Sequence, residues 1–243
     1  MGLLGEGLIS TDDLIDAAAR VQADWMAAVA RATGGLAWED EGVWIVASSR
    51  ELVMPFPQQM ADDVLDRVLT WVAEHDVRTV GCWAAREEQA ALGPTLEARG
   101  FEDGWQPSWM ATGAGGDGDD ARVAATADVP EWDRYGQQLL ALVGERTLPF
   151  VARVEGELAG FAWLHAPPGE TVAGIFDVVV FPEHRRRGLG RALTAAACAR
   201  AAELGRTQVT LNATGEGELL YRAMGFEALG RGRTWWLHLG GPA

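Results

Sequence analysis

Short runs of β-branched and aromatic residues alternate along the chain with longer stretches whose apolar positions recur at helical spacing. In the first half, Val43 to Ala47 and Val77 to Trp83 predict strands, while 61–74 and 87–99 predict helices. In the second half the pattern predicts a strand near Val123, a helix over Trp132 to Val143, and a hairpin from Phe150 to Leu164 that turns at Glu155-Gly156. A strand over Ile175 to Val180 then leads into a helix from Gly190 to Leu204, which Gly205 stops. Gln208 to Leu211 reads as a strand, Glu216 to Met224 as a helix, and Phe226 to Leu239 as a closing strand pair. This mixture defines an α/β class.

Between the halves, Gly113-Ala114-Gly115-Gly116-Asp117-Gly118-Asp119-Asp120 combines glycines with clustered acids and predicts a solvated linker. The expected division is therefore residues 1–112, a linker over 113–121, and residues 122–243. The two halves also share a local pattern. Leu96-Glu97-Ala98-Arg99-Gly100-Phe101 aligns with Tyr221-Arg222-Ala223-Met224-Gly225-Phe226, and each segment precedes a tryptophan-containing strand, with Trp105 and Trp109 in one and Trp235 and Trp236 in the other. That agreement suggests diverged repeats. A plain helix-and-sheet docking domain is the other reading of the first half.

Candidate chemistry concentrates in Val178-Val179-Val180-Phe181-Pro182-Glu183-His184-Arg185-Arg186-Arg187-Gly188-Leu189-Gly190-Arg191. Three consecutive valines suit a central strand, and Gly188 and Gly190 let backbone N–H groups converge at the start of a helix, where an anion is favoured. Four arginines within seven residues, in a chain of net charge -15, make this loop a local exception to the molecule's field. A dinucleotide fingerprint fails for want of Gly-x-Gly-x-x-Gly. A P-loop fails because the chain contains no lysine.

What the segment does match is Arg-x-x-Gly-x-Gly, as Arg185, Gly188 and Gly190. With the downstream Leu220-Tyr221-Arg222-Ala223-Met224-Gly225-Phe226, it resembles the GNAT family of N-acetyltransferases. The resemblance covers the second half. It implies a mixed, mostly antiparallel twisted sheet flanked by helices, with the first half as a smaller, degenerate GNAT-like domain that has leucine in place of Tyr221 and no Arg-x-x-Gly-x-Gly. It also implies acetyl-CoA as co-substrate and an amine as acceptor, by direct attack of the amine on the thioester. Arg185, Arg186, Arg187, Gly188, Leu189, Gly190 and Arg191 would hold the pyrophosphate. Val178, Val179 and Val180 would line the pantetheine slot, and a backbone N–H near Val179 would face the oxyanion. Tyr221 is the candidate general acid. Asp177 stands where many members carry an acid before Val-x-Pro and is the first candidate base, with His165 and a water chain as alternatives. Asn212 is a candidate coenzyme contact and Thr214 an equal claimant, either of which a helix cap would also explain.

At 243 residues and 48% hydrophobic content, the chain can bury one large core or two small ones. No apolar run approaches the ~20 residues of a membrane span, and the start lacks a secretory pattern, so a cytoplasmic protein is expected with no membrane partner. Cys82 and Cys198 lack metal-type spacing and read as buried free thiols, and no metal is expected. The acidic balance disfavours nucleic acid and favours a cationic acceptor. His184 and Glu183 are expected to be exposed, and either Trp235 or Trp236 to border the cleft. A monomer is favoured over a homodimer, since paired halves make one unnecessary. Two further readings stay open: a non-catalytic coenzyme A binding or regulatory module, and an acyl donor other than acetyl-CoA.

Overall fold

The structure, a computed structural model, describes residues 10–48 and 50–240. The chain opens with a helix that the sequence reading did not anticipate, α1 (Thr11–Ala32), in which the Ser10 side chain accepts a hydrogen bond from the Asp13 N–H. Its signal is present in Leu14, Ala17, Ala18, Ala19, Val21 and Trp25, all buried. It is buried on several sides because it lies between two sheets. Ile15, Ala18 and Ala19 pack with Phe56, Trp83 and Trp109, while Leu14 and Val21 pack with Ala111 and Val172. Trp25 stacks on Phe176 at 4.9 Å between ring centroids.

The remaining elements of the first half are β1 (Leu36–Asp40), β2 (Val43–Ser48), β3 (Glu51–Pro55), α2 (Asp62–Ala73), β4 (Thr79–Ala84), α3 (Leu92–Glu97), β5 (Glu102–Asp103) and β6 (Ser108–Gly113). The second half follows as β7 (Val123–Ala125), α4 (Arg134–Leu139), β8 (Thr147–Val154), β9 (Glu157–His165), β10 (Val172–Val180), α5 (Leu189–Glu203), β11 (Gln208–Ala213), α6 (Gly215–Arg222), β12 (Glu227–Arg231) and β13 (Arg233–His238). The β8–β9 hairpin turns at Glu155 (φ 54°) and Gly156 (φ 86°), the left-handed pair that a two-residue hairpin requires.

The sheets do not follow the division of the chain. The first runs β1-β2-β3-β4-β13-β5 and the second β12-β6-β11-β10-β9-β8-β7. Each half thus gives its last strand to the other: β13 pairs antiparallel with β4, Trp235 opposite Cys82, and β6 with β11, Met110 opposite Leu211. The closing strand pair expected in the second sheet is therefore split, with β12 in one sheet and β13 in the other. The crossing segments touch. Gly232 donates its N–H to the Pro107 carbonyl at 2.9 Å, and a Cβ there would sit 2.6 Å from the Ala84 carbonyl oxygen.

The local repeat is preserved in atomic detail. Gly100 (φ 86°) and Gly225 (φ 88°) both end a helix in the left-handed region. Phe101 N–H donates to the Leu96 carbonyl and Phe226 N–H to the Tyr221 carbonyl, the six-to-one bond of a Schellman motif in each case. The glycine-rich segment between the halves differs from the solvated linker expected. Ala114 and Gly115 donate to the Thr207 and Cys198 carbonyls, and a Cβ on Gly118 would lie 2.8 Å from that of Ala199, so the segment is laid against α5. No helix among the described residues is long and apolar enough to cross a membrane.

Candidate active site

Strands β10 and β11 run parallel and paired only over Val172–Gly174 and Gln208–Thr210, after which they part. The gap is the mouth of a cleft of about 890 Å³ whose walls include Val178, Val179 and Val180 on one side and Leu211 and Asn212 on the other. Backbone groups of β10 beyond Gly174 that face this gap have no strand partner there, so an extended ligand can pair with them. At the far end, Gly188 (φ 78°) caps α5 in the left-handed region with no side chain of its own, and Arg186 (φ 62°) shares that conformation. A Cβ on Gly190 would come within 3.2 Å of Leu220. The result is a helix N-terminus with open backbone and positive charge above it, which suits a pyrophosphate.

Arg185, Arg186, Gly188, Leu189, Gly190 and Arg191 all line this cleft. Arg185 is steadied by its Nε donating to the Val180 carbonyl at 3.2 Å, and Arg191 donates to the Ala223 carbonyl at 2.9 Å. Arg187 is not among the lining residues; its carbonyl accepts from Arg122 at 2.9 Å on the outer side of the loop. His184 is buried, against expectation, because the turn at Pro182–His184 folds its ring inward; Glu183 is exposed.

Tyr221 reaches the cleft from α6, its ring packed on Phe226 at 5.5 Å. Burial pushes its hydroxyl up to about 12, which keeps it protonated at neutral pH. Asp177 also lines the cleft, from β10, at a bulge between Phe176 and Val179, with φ 50°. This is a conformation that aspartate tolerates better than most residues and that turns its side chain out of the sheet's regular alternation. The carboxyl remains open to solvent, yet the protein crowded around it raises its pKa above the ordinary carboxylate value by desolvation. Asn212 lines the cleft and donates to the Gln22 Oε1 of α1 at 2.6 Å, while its own Oδ1 is buried without a partner. Thr214 also lines the cleft and caps α6, accepting from Gly217 N–H at 3.2 Å.

His165 is not part of this cleft. Its Nε2 pairs with Asp24 of α1 and its Nδ1 with the Thr147 hydroxyl, each at 2.8 Å, so it joins the two halves. Neither Trp235 nor Trp236 reaches the cleft. Both belong to β13 in the first sheet, where Trp235 is fully buried and Trp236 packs beside Trp83.

The structure adds a feature that the sequence did not disclose. A second cavity, of about 620 Å³, lies between the halves and meets the cleft at Asp177, which lines both. Its walls come from Trp25 of α1, Glu51 of β3, Trp83 of β4 and Tyr135 of α4. Glu51, like Asp177, is held above its usual pKa by desolvation, and the Tyr135 hydroxyl is pushed up to about 12 by burial and the nearby charges of Asp177 and Asp133. Glu51 and Asp177 are more than a hundred positions apart in sequence, so no spacing signal links them.

Among the described residues of the first half, the parallel strand pair does not part as β10 and β11 do. There β3 and β4 stay paired through Pro55 and Trp83, and α2 starts on Asp62 and Asp63, which repel an anion. Leu96, fully buried, replaces the tyrosine.

Residues 119–226 match the sequence profile of the acetyltransferase (GNAT) family. No curated protein matches the chain in sequence. Among solved structures, a GCN5-related N-acetyltransferase from Kribbella flavida is similar over 92% of this chain and 96% of its own, with 19% identity and a TM-score of 0.62. One from Sphaerobacter thermophilus is similar over 97% and 95%, with 16% identity and a TM-score of 0.59. A tandem GNAT protein from the clavulanic acid biosynthesis pathway is similar over 97% and 98%, with 16% identity and a TM-score of 0.56. The fold therefore extends over both halves, each of them GNAT-like.

Proposed function

We propose that the protein is an acetyl-CoA-dependent N-acetyltransferase whose single donor site is the cleft between β10 and β11. The observation that carries this reading is the parting of those strands, with Asp177 and Tyr221 both lining the gap and the Gly188 helix start among its walls. The cleft fits coenzyme A: its helix start takes a pyrophosphate, its unpaired strand backbone takes amide groups of an extended arm, and the unsatisfied Asn212 Oδ1 is an acceptor left for an N–H. The chain's own residues do the following. The Asp177 carboxylate takes a proton from the acceptor's ammonium group, which frees the nitrogen lone pair to attack the thioester carbonyl carbon. A backbone N–H near Val179 donates to the oxygen that becomes negative. As the carbon–sulfur bond breaks, the Tyr221 hydroxyl donates its proton to the sulfur, and the tyrosinate takes back the second proton that the attacking nitrogen sheds as it becomes an amide. Arg185, Arg186 and Arg191 hold the donor while this happens.

Calorimetric titration with acetyl-CoA tests the donor site. Micromolar binding by the wild type that disappears in the double variant Gly188→Asp, Arg185→Ala is the expected result. A well-folded wild type that binds neither acetyl-CoA nor coenzyme A rules the reading out and leaves an interaction module.

A further inference from the structure

Resting on that reading, we infer that the acceptor is a diamine, acetylated at the amine beside Asp177 and anchored through its second ammonium group at Glu51. Four observations carry this. The cavity between the halves meets the donor cleft at Asp177, so a molecule filling it presents one end to the reacting centre. At about 620 Å³ it accommodates a small molecule of several carbons rather than a lone ammonium ion. Asp177 and Glu51 stand on different sheets, one on the bulge of β10 and the other at the start of β3, which separates the two anionic positions along the cavity. Neither carboxylate has an arginine or histidine partner among the described residues.

Two carboxylates that line one cavity with no cationic partner repel each other, and a ligand that brings an ammonium group to each relieves that repulsion. Trp25 and Trp83 line the same cavity and supply aromatic surface, which favours an alkyl chain carrying ammonium groups. Among the described residues, the one cationic side chain lining this cavity, Arg134, is exposed at the start of α4. An acceptor whose far end is a carboxylate would use Arg134 instead of Glu51, so the two chemistries make opposite predictions.

The test is steady-state acetylation, followed by thiol release, of putrescine and cadaverine against butylamine, pentylamine and the ω-amino acids of matched length. The expected kcat/KM for the diamines exceeds that for the monoamines by at least about ten-fold, the scale of one charge-assisted contact. In Glu51→Gln that ratio falls toward one, chiefly through KM for the diamine, and Glu51→Asp restores part of it. Calorimetry with acetyl-CoA on each variant establishes that it is folded. Equal use of monoamines and diamines, a preference for the ω-amino acids, or an unchanged ratio in Glu51→Gln overturns the inference and leaves the N-acetyltransferase reading standing. Intact acetyl-CoA binding with no turnover of any amine in the panel also excludes the diamine. Absence of acetyl-CoA binding removes the reading itself, and the inference with it.

Discussion

At Asp177 a left-handed backbone and a desolvated carboxyl coincide at the meeting point of two cavities. Strain and perturbed ionisation at one position mark it as a candidate for function. Because its folded pKa is raised, the ionised form is less favourable in the folded than in the unfolded protein. Stability therefore falls as pH rises from the ordinary carboxylate value through the folded pKa, and stays lower above it. Asp177→Asn, which keeps the backbone preference, is expected to melt at a higher temperature than the wild type at about pH 8. That advantage should vanish below the ordinary carboxylate pKa of about 4. The same variant should lose activity together with the acid limb of its pH–rate profile. Tyr221 makes a different prediction: Tyr221→Phe should lower kcat by about 10²- to 10⁴-fold, the usual worth of a general acid, with acetyl-CoA affinity retained. An equal loss of acetyl-CoA binding, read by calorimetry, would show the hydroxyl to be a donor-binding group instead.

Among the elements, α1 and the exchanged strands hold the site together. Arg20 makes a two-pronged ion pair with Glu170 at 2.7 and 3.1 Å, Asp24 meets His165, and Trp109 of β6 donates its indole N–H to the Ala85 carbonyl at 2.8 Å. The Asp24 carboxyl lies below its usual pKa, first through the hydrogen bond from His165. Its contribution is present above the unfolded carboxylate value and is lost as pH falls through the lower, folded one. Asp24→Asn should thus lower the melting temperature at neutral pH, and the gap should close on acidification. Where the two crossing segments touch, the backbone leaves no room for a side chain, so Gly232→Ala should destabilise by about 1–3 kcal/mol in denaturant titration.

For the whole molecule, exchange of β6 and β13 means that neither half completes its sheet alone. Residues 1–112 and 122–243 expressed separately should each be poorly structured by circular dichroism. Co-expressed, they should purify together and recover acetyl-CoA binding. A stable, ligand-binding 122–243 fragment on its own would show that the second sheet tolerates an empty place beside β11. The exchange also explains how the first half serves a site it does not itself contain. By fixing α1 and β3 against the second sheet, it supplies Gln22 to Asn212 and Glu51 to the cavity that meets Asp177.

Local chemistry was legible in the sequence. The strand, glycine turn and helix around Gly188, the Tyr221 segment, the hairpin at Glu155-Gly156 and the repeated helix endings at Gly100 and Gly225 each depend on residues within a few positions of one another, so propensity and spacing fix them. The helix α1 was equally local in its periodicity, although its alanine-rich, many-sided burial blurred the usual amphipathic stripe. Strand exchange, the burial of His184, the placement of Trp235 and the joining of Glu51 to Asp177 were decided only by tertiary structure. Strand β6 carries the same alternation whichever sheet receives it. The choice between partners rests on long-range pairing and on the packing of two sheets about one helix, for which no stretch of sequence carries a local signal.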